Sequence, residues 1–110
     1  MEELIKNADE FLESGEDNLK KKRYNASVSD YFKAIVILCD YKIYNEIKSL
    51  PKNHNERFYL LKRYFEKLYS DVSELFVLYT MSYNLRMGEK EAVKLKIYSN
   101  ELRNSIKNKK

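Results

Sequence analysis

Residues 49–65 read SLPKNHNERFYLLKRYF. The stretch holds the only proline and the only histidine of the chain, Pro51 and His54. The residue before a proline is pushed away from helical backbone angles, so a helix is predicted to end just before Pro51. Asn53 or Asn55 can then cap the N-terminus of the next helix. The stretch therefore predicts a junction between two helices, with His54 at the start of the second.

The remainder of the chain also shows helical spacing of its apolar residues. Two glycines and one proline in 110 residues leave little material for β-hairpin turns. Apolar residues recur at i, i+3, i+4 and i+7 along almost the whole chain. The predicted fold is all-α: an up-and-down antiparallel bundle of four long helices plus a C-terminal helix. It is predicted to form one domain over residues 1–106, followed by a basic, frayed tail over residues 107–110.

Polar residues at suitable positions predict where the helices begin and end. Helix 1 is expected over about residues 2–22. Asn25 is a suitable N-cap for helix 2. Asp71 and Glu74 have capping-box spacing for helix 4, and Gly88 suits its C-terminus. The last helix is expected to have a weaker apolar seam, formed by Val93, Ile97, Leu102 and Ile106.

Helix 2 is predicted to be apolar over most of its girth. A helix of this kind lies centrally in a bundle or faces a second subunit. Cys39 lies in its apolar run AIVILCDY, where a buried and inert thiol is expected, and a single cysteine cannot form an internal disulfide. On helix 1, Gly15 falls on the apolar stripe and can admit a close helix neighbour.

The net charge of +4 comes from the C-terminal end of the sequence. The last eight residues, RNSIKNKK, carry four basic groups and no acid, so the rest of the chain is balanced. KKKR at residues 20–23 is interpreted as a solvated helix end. The acidic N-terminus lacks a signal-peptide pattern, and no apolar stretch reaches the length of about 20 residues needed for a membrane span. A cytoplasmic protein without membrane contact is expected.

The residues predict no catalytic or metal chemistry. Motifs for nucleotide, zinc or nucleophile-elbow sites are missing, and two glycines are too few for a glycine-built phosphate cradle. A nucleophilic pair of Cys39 and His54 would need an exposed thiol, which the apolar setting argues against. No metal or cofactor is predicted, since no further ligand lies at metal spacing around His54. The later tyrosines are interpreted as half-buried packing residues rather than base-stacking residues: Tyr59, Tyr64, Tyr69, Tyr79, Tyr83 and Tyr98.

Three segments together resemble HEPN domains. They are ADEFLESGEDNLKKKRYNASVSDYFKAIVILCD at residues 8–40, LPKNHNERFYLL at 50–61 and YTMSYNLRMGEKE at 79–91. The resemblance implies a bundle of four or five helices, usually paired as a homodimer. Many HEPN proteins are ribonucleases, whose signature is an arginine followed after four to six residues by a histidine.

The ribonuclease signature is incomplete here. Arg86 matches the arginine, but Glu91, Ala92 and Val93 occupy the positions where the histidine is expected, and His54 lies upstream. The resemblance therefore implies the branch without the motif. Such a protein would be a non-catalytic interaction module, dimeric through helices 2 and 4. Its partner would be a minimal nucleotidyltransferase or a toxin–antitoxin system.

Two alternatives stay open. One is a weak, metal-independent ribonuclease that uses Arg86 and His54, and the other is a nucleic-acid-binding protein that uses the basic tail. Candidate ligand-binding residues are Asn84, Arg86, His54 and Arg57. Arg86 is expected to form a structural ion pair with Glu56 or Glu74.

Overall fold

Helices make up most of residues 1–107, the part of the chain that the computed structural model describes. They are α1 (Glu2–Lys20), α2 (Tyr24–Ile47), α3 (His54–Tyr64), α4 (Glu66–Met81) and α5 (Glu89–Lys107). No strand occurs within this range, so the predicted all-α fold is confirmed. Residues 108–110 of the predicted basic tail lie outside the described residues.

The four long helices alternate in direction. α1 and α2 are joined by a turn of three residues. Three other helix pairs are antiparallel, because later residues of one helix contact earlier residues of its neighbour. The contacts are Asp9 with Arg103 and Glu16 with Lys96 between α1 and α5, Asp71 with Tyr98 and Glu74 with Lys94 between α4 and α5, and Asn25 with Ser82 and Phe32 with Tyr79 between α2 and α4. α1, α2, α4 and α5 thus form the up-and-down bundle, and α3 is a short addition to it.

α2 lies at the centre of this bundle. It packs against each of the other four helices. Its buried residues cover about half of the helix circumference at 3.6 residues per turn: Ser27, Val28, Tyr31, Phe32, Ala34, Ile35, Leu38, Cys39 and Ile43. The broad apolar girth of α2 is therefore covered within the chain, which confirms the central position predicted for it.

α1 and α2 approach closely at Gly15. The Ser27 hydroxyl donates to the Gly15 carbonyl oxygen over 3.0 Å, and the Tyr31 hydroxyl donates to Glu16 over 3.1 Å. A Cβ at Gly15 would lie 2.9 Å from Tyr31 Cε1, inside van der Waals contact. The glycine thus admits the Tyr31 ring, as its place on the apolar stripe predicted.

The junction that follows α2 differs in part from the prediction. α2 ends at Ile47, where Lys48 takes a left-handed conformation with φ 58° and its N–H donates to the Tyr44 carbonyl oxygen over 2.8 Å. The helix therefore ends three residues before Leu50, because the hydrogen-bonded left-handed cap at Lys48 has already ended it before the chain reaches Pro51. The Asn53 side chain caps α3 by accepting from the Glu56 N–H over 2.8 Å, which confirms the cap.

The boundary between α3 and α4 was predicted wrongly. Phe65, with φ −142° and ψ 68°, breaks the helix, whereas Asp71 lies inside α4 and pairs with Lys67 over 2.9 Å. The predicted capping box at Asp71 is thus absent. The break allows α3 to fold back on α4, so that the ring of Phe58 lies 5.4 Å from that of Phe76. One uninterrupted helix would carry these two rings apart.

Two other predicted helix features are also wrong, and the predicted seam of α5 is confirmed only for Leu102 and Ile106. Asn25 lies within α2, whose N-cap is Arg23. α4 ends at Met81, and Gly88 instead precedes α5, where its N–H donates to Glu91 over 2.7 Å. On α5, Ile97 is exposed, because the buried face is shifted around the helix from the predicted seam. That face consists of Ala92, Leu95, Ser99, Leu102 and Ile106.

Replacing Gly15 with alanine is expected to lower the free energy of unfolding by about 1–2 kcal/mol. The gain in helix propensity of about 1 kcal/mol is outweighed by overpacking against the buried Tyr31 ring. Urea unfolding followed by circular dichroism measures the change. Glu13→Ala, at an exposed position of α1, is the control and should change stability by less than about 0.5 kcal/mol. A more stable Gly15→Ala protein would contradict the close approach.

Candidate functional site

The polar residues singled out by sequence lie in two places. His54 and Arg57 belong to the first turn of α3. Asn84 and Arg86 lie in the segment between α4 and α5, residues 82–88, which we call the 82–88 loop. Each place has its own hydrogen bonds, and these bonds decide what chemistry the residues can perform.

Arg57 ties the first turn of α3 to the middle of α2. Its Nε and Nη2 donate to the two carboxylate oxygens of Asp40 over 2.6 and 2.9 Å, and both side chains are largely buried. Its Nη1 lies 2.9 Å from His54 Nδ1. A guanidinium only donates hydrogen bonds, so His54 Nδ1 accepts and the imidazole proton lies on Nε2. Every nitrogen of Arg57 is therefore used inside the chain, as in a structural ion pair rather than an open ligand site.

The 82–88 loop is held by a single side chain from α2. Asn25 Nδ2 donates to the carbonyl oxygens of Ser82 and Leu85, each over 2.7 Å. Asn25 Oδ1 accepts from the Met87 N–H over 2.9 Å. One amide therefore fixes three backbone groups of the loop, which lies about 60 residues further along the chain. The loop is thereby anchored to the first turn of α2.

Arg86 and Asn84 lie exposed on this anchored loop. The predicted ion pair of Arg86 with Glu56 or Glu74 does not form. Glu56 accepts from the Lys52 N–H, and Glu74 pairs with Lys94, so both carboxylates are already used elsewhere. Within residues 1–107, no ion pair involves Arg86.

A row of aromatic rings lies between His54 and Arg86. The ring centroids of His54 and Phe76 are 5.7 Å apart, those of Phe76 and Tyr79 are 6.2 Å apart, and those of Tyr79 and Tyr83 are 5.5 Å apart. Over the described part of the chain, no hydrogen bond connects His54 with Arg86. Among residues 1–107, no ion pair or ring contact joins His54 to Arg86 either, and the row of rings runs from His54 to Tyr83 of the 82–88 loop.

The row ends at a pair of tyrosine hydroxyls. Tyr79 and Tyr83 share a hydrogen bond of 2.7 Å, and Tyr79 also stacks on the buried ring of Phe32 at 4.7 Å. The hydrogen bond with Tyr83, followed by burial, raises the pKa of Tyr79 to about 12. The Tyr79 phenol is therefore protonated near neutral pH, and it serves packing rather than acid–base chemistry.

The remaining groups that could support catalysis are placed unfavourably. Cys39 is fully buried, and burial raises the pKa of its thiol far above the usual value, so the reactive thiolate is suppressed. Among residues 1–107, no three histidine, cysteine or carboxylate side chains are grouped to hold a metal ion. The same residues include no helix that is long and apolar enough to cross a membrane.

The end of α4 and the 82–88 loop expose four apolar side chains. We use the term apolar strip for Val77, Met81, Tyr83 and Leu85, all of which are exposed. Val77 and Met81 share one side of α4, and Tyr83 lies beside Tyr79 on another side. Tyr83 is 71% and Leu85 52% exposed. Residues 75–85 contain no charged side chain, although 35% of the chain is charged. Such a surface, next to a loop that is firmly held, is typical of a binding site for another protein.

Sequence reasoning missed the parts of this site that matter most. Asn25 was taken for an N-cap, because an asparagine near a helix start fits that role and no local signal reveals a partner 60 residues away. The uncharged window over residues 75–85 is a signal in the sequence that could have indicated an exposed apolar surface. Three of the six tyrosines expected to be half-buried are exposed instead, namely Tyr59, Tyr64 and Tyr83.

No family model, curated protein or solved structure matches the chain. The resemblance to HEPN domains and the partners that it implies therefore stay predictions.

Replacing Asn25 with alanine is expected to release the 82–88 loop. The Met87 N–H and two carbonyl oxygens lose their partner, which should lower the free energy of unfolding by about 1–3 kcal/mol. Hydrogen exchange by NMR should show a faster-exchanging Met87 amide. Asn45→Ala, at an exposed position of α2, is the matched control. An unchanged Met87 exchange rate in Asn25→Ala would show that the side chain does not hold the loop.

Proposed function

We propose that the protein is a non-catalytic helical interaction module that pairs with a second copy of itself through the apolar strip. The observation that carries the proposal is the anchoring of exposed apolar residues by Asn25. A loop with Tyr83 and Leu85 on its surface loses little further conformational freedom on binding when its backbone is already fixed. The anchored loop is thus preorganised for contact.

A second copy is the favoured occupant because the strip is uncharged. In a two-fold symmetric dimer the same patch faces itself, so any charge near the axis would meet its like. Residues 75–85 avoid this repulsion. Stable interfaces usually cover about 800 Å² on each partner, so exposed neighbours such as Thr80 and Asn84 would complete the contact around the strip.

The exposed residues favour a different dimer contact from the one expected from sequence. Sequence reasoning placed the contact on helices 2 and 4, because the girth of helix 2 is apolar. α2 is covered by its four neighbours within the chain, which leaves the outer face of α4 as the exposed apolar surface of the two. We therefore propose a contact through α4 and the 82–88 loop.

Several features favour a binding role over catalysis. The Arg57 nitrogens are occupied, the Cys39 thiol is buried, and His54 Nδ1 is bonded to Arg57. A HEPN-like module without the ribonuclease motif would fit this arrangement. A nucleotidyltransferase or a toxin–antitoxin system as partner rests on the HEPN resemblance alone, and a weak ribonuclease activity is the less favoured alternative.

Sedimentation velocity over a wide range of protein concentration tests the dimer. The wild-type protein is expected to sediment at twice the 13.3 kDa mass of the chain. Leu85→Glu should weaken the dimer by about 100-fold, because symmetry places two like charges together at a cost of several kcal/mol. Circular dichroism should show an unchanged helix content, since Leu85 is half exposed.

Ile97→Glu is the matched control for this experiment. Ile97 lies on α5 and is 53% exposed, close to the 52% of Leu85, so it introduces the same charge at an equally exposed apolar position. The control should remain dimeric. A wild-type protein that stays monomeric at every concentration would contradict the proposal, as would a dimer that both variants weaken equally.

A further inference from the structure

The outer side of α3 carries a second surface, which the proposed dimer does not use. We call Tyr59, Lys62, Arg63 and Tyr64 the α3 face. All four side chains are exposed, and Tyr59 is 61% exposed. Tyr59 and Arg63 are one helical turn apart and thus lie side by side. Around the helix, Arg63 therefore lies between the two phenol rings, and Lys62 lies on the other side of Tyr59.

Arg63 and Lys62 are partnered by rings rather than by acids. The Arg63 guanidinium carbon lies 5.5 Å from the centre of the Tyr64 ring, and Lys62 Nζ lies 5.8 Å from the centre of the Tyr69 ring. Across the described residues, no ion pair involves either cation, although the exposed acid Glu66 lies only a turn away. Their positive charge thus remains available to an anion.

The charge of the chain is strongly uneven around the bundle. Residues 48–67 contain six basic and two acidic residues, whereas α1 contains seven acidic and two basic residues. α3 packs on α2 and α4, and α1 packs on α2 and α5, so the two charged regions lie on different sides of α2. Arg57 and Lys67 are paired with carboxylates outside this stretch, which leaves four basic residues against two acidic ones. The charge balance of the chain outside its tail, noted from composition, therefore hides a moderately basic side. An electrostatic footprint of this kind attracts polyanions.

We propose that the α3 face binds single-stranded nucleic acid. Lys62 and Arg63 would contact phosphates, while the rings of Tyr59 and Tyr64 stack on unpaired bases. Acidic side chains pair with the cations but leave the two tyrosine rings without stacking partners, and a duplex keeps its bases inside. Exposed rings beside unpaired cations thus favour a single strand.

Fluorescence anisotropy with a labelled single-stranded RNA of about 12 nucleotides tests the proposal, within the site sizes usual for such binding. The same sequence as single-stranded DNA and as RNA duplex forms the other arms. Both single strands should bind more tightly than the duplex. The tighter of the two single strands identifies whether RNA or DNA is the preferred ligand of the α3 face. Arg63→Gln should reduce the slope of log affinity against log salt by about 0.7, the value for one phosphate contact.

The tyrosine variants separate stacking from charge. Tyr59→Leu removes the flat ring and should weaken binding by about tenfold, whereas Tyr59→Phe keeps the ring and should bind as the wild type does. Lys33→Gln is the control for lost charge, because Lys33 is an exposed cation over a ring, 5.7 Å from the centre of Phe11, on another part of the bundle. It should leave RNA affinity nearly unchanged.

The tail and anionic lipid are tested in the same experiment. A full-length variant with Lys107, Lys109 and Lys110 changed to glutamine should retain most RNA binding. The proposal is overturned if this variant loses binding while Arg63→Gln does not, or if Tyr59→Leu and Tyr59→Phe bind equally. The proposal is also overturned if the protein shows no binding to RNA but binds phosphatidylserine vesicles through Arg63. The dimer through the apolar strip is unaffected by any of these results.

Discussion

The packing of α2 against all four other helices is the constraint on which the rest of the structure depends. A helix that is apolar around its girth cannot face water, so the four other helices must surround it. α1 packs closely on α2 because Gly15 has no side chain to collide with Tyr31. On α2, the ring of Phe32 contacts the rings of Phe76 and Tyr79 of α4. The positions of both candidate surfaces follow from this arrangement, because they lie on helices that pack around α2.

Two polar side chains of α2 fix the positions of α3 and the 82–88 loop. Asp40 holds α3 through Arg57, and Asn25 holds the 82–88 loop through three backbone groups. The Asn25 amide and the Asp40 carboxylate are partly buried, and both are hydrogen-bonded, as partly buried polar groups need to be. The consequence is that the α3 face and the apolar strip are both presented on backbone that is held in place.

The fold could be predicted from sequence further than the site could. The apolar girth of α2 and the cap at Asn53 are local patterns, and both predictions were confirmed. The break at Phe65 was missed because it serves a contact between Phe58 and Phe76, which the apolar repeat of a single helix cannot reveal. The role of Asn25 depends on a loop about 60 residues away, and exposure of Tyr59 depends on which side of α3 meets α2.

Residue-level hydrogen exchange under native conditions tests the central position of α2 most directly. Amides over residues 28–43 should open only with global unfolding, so that their opening free energies equal the value from urea unfolding, while amides of α3 should open at lower cost. If amides over residues 28–43 instead open well below the global value, and α3 or α4 remains protected, then α2 is not the element around which the others are built.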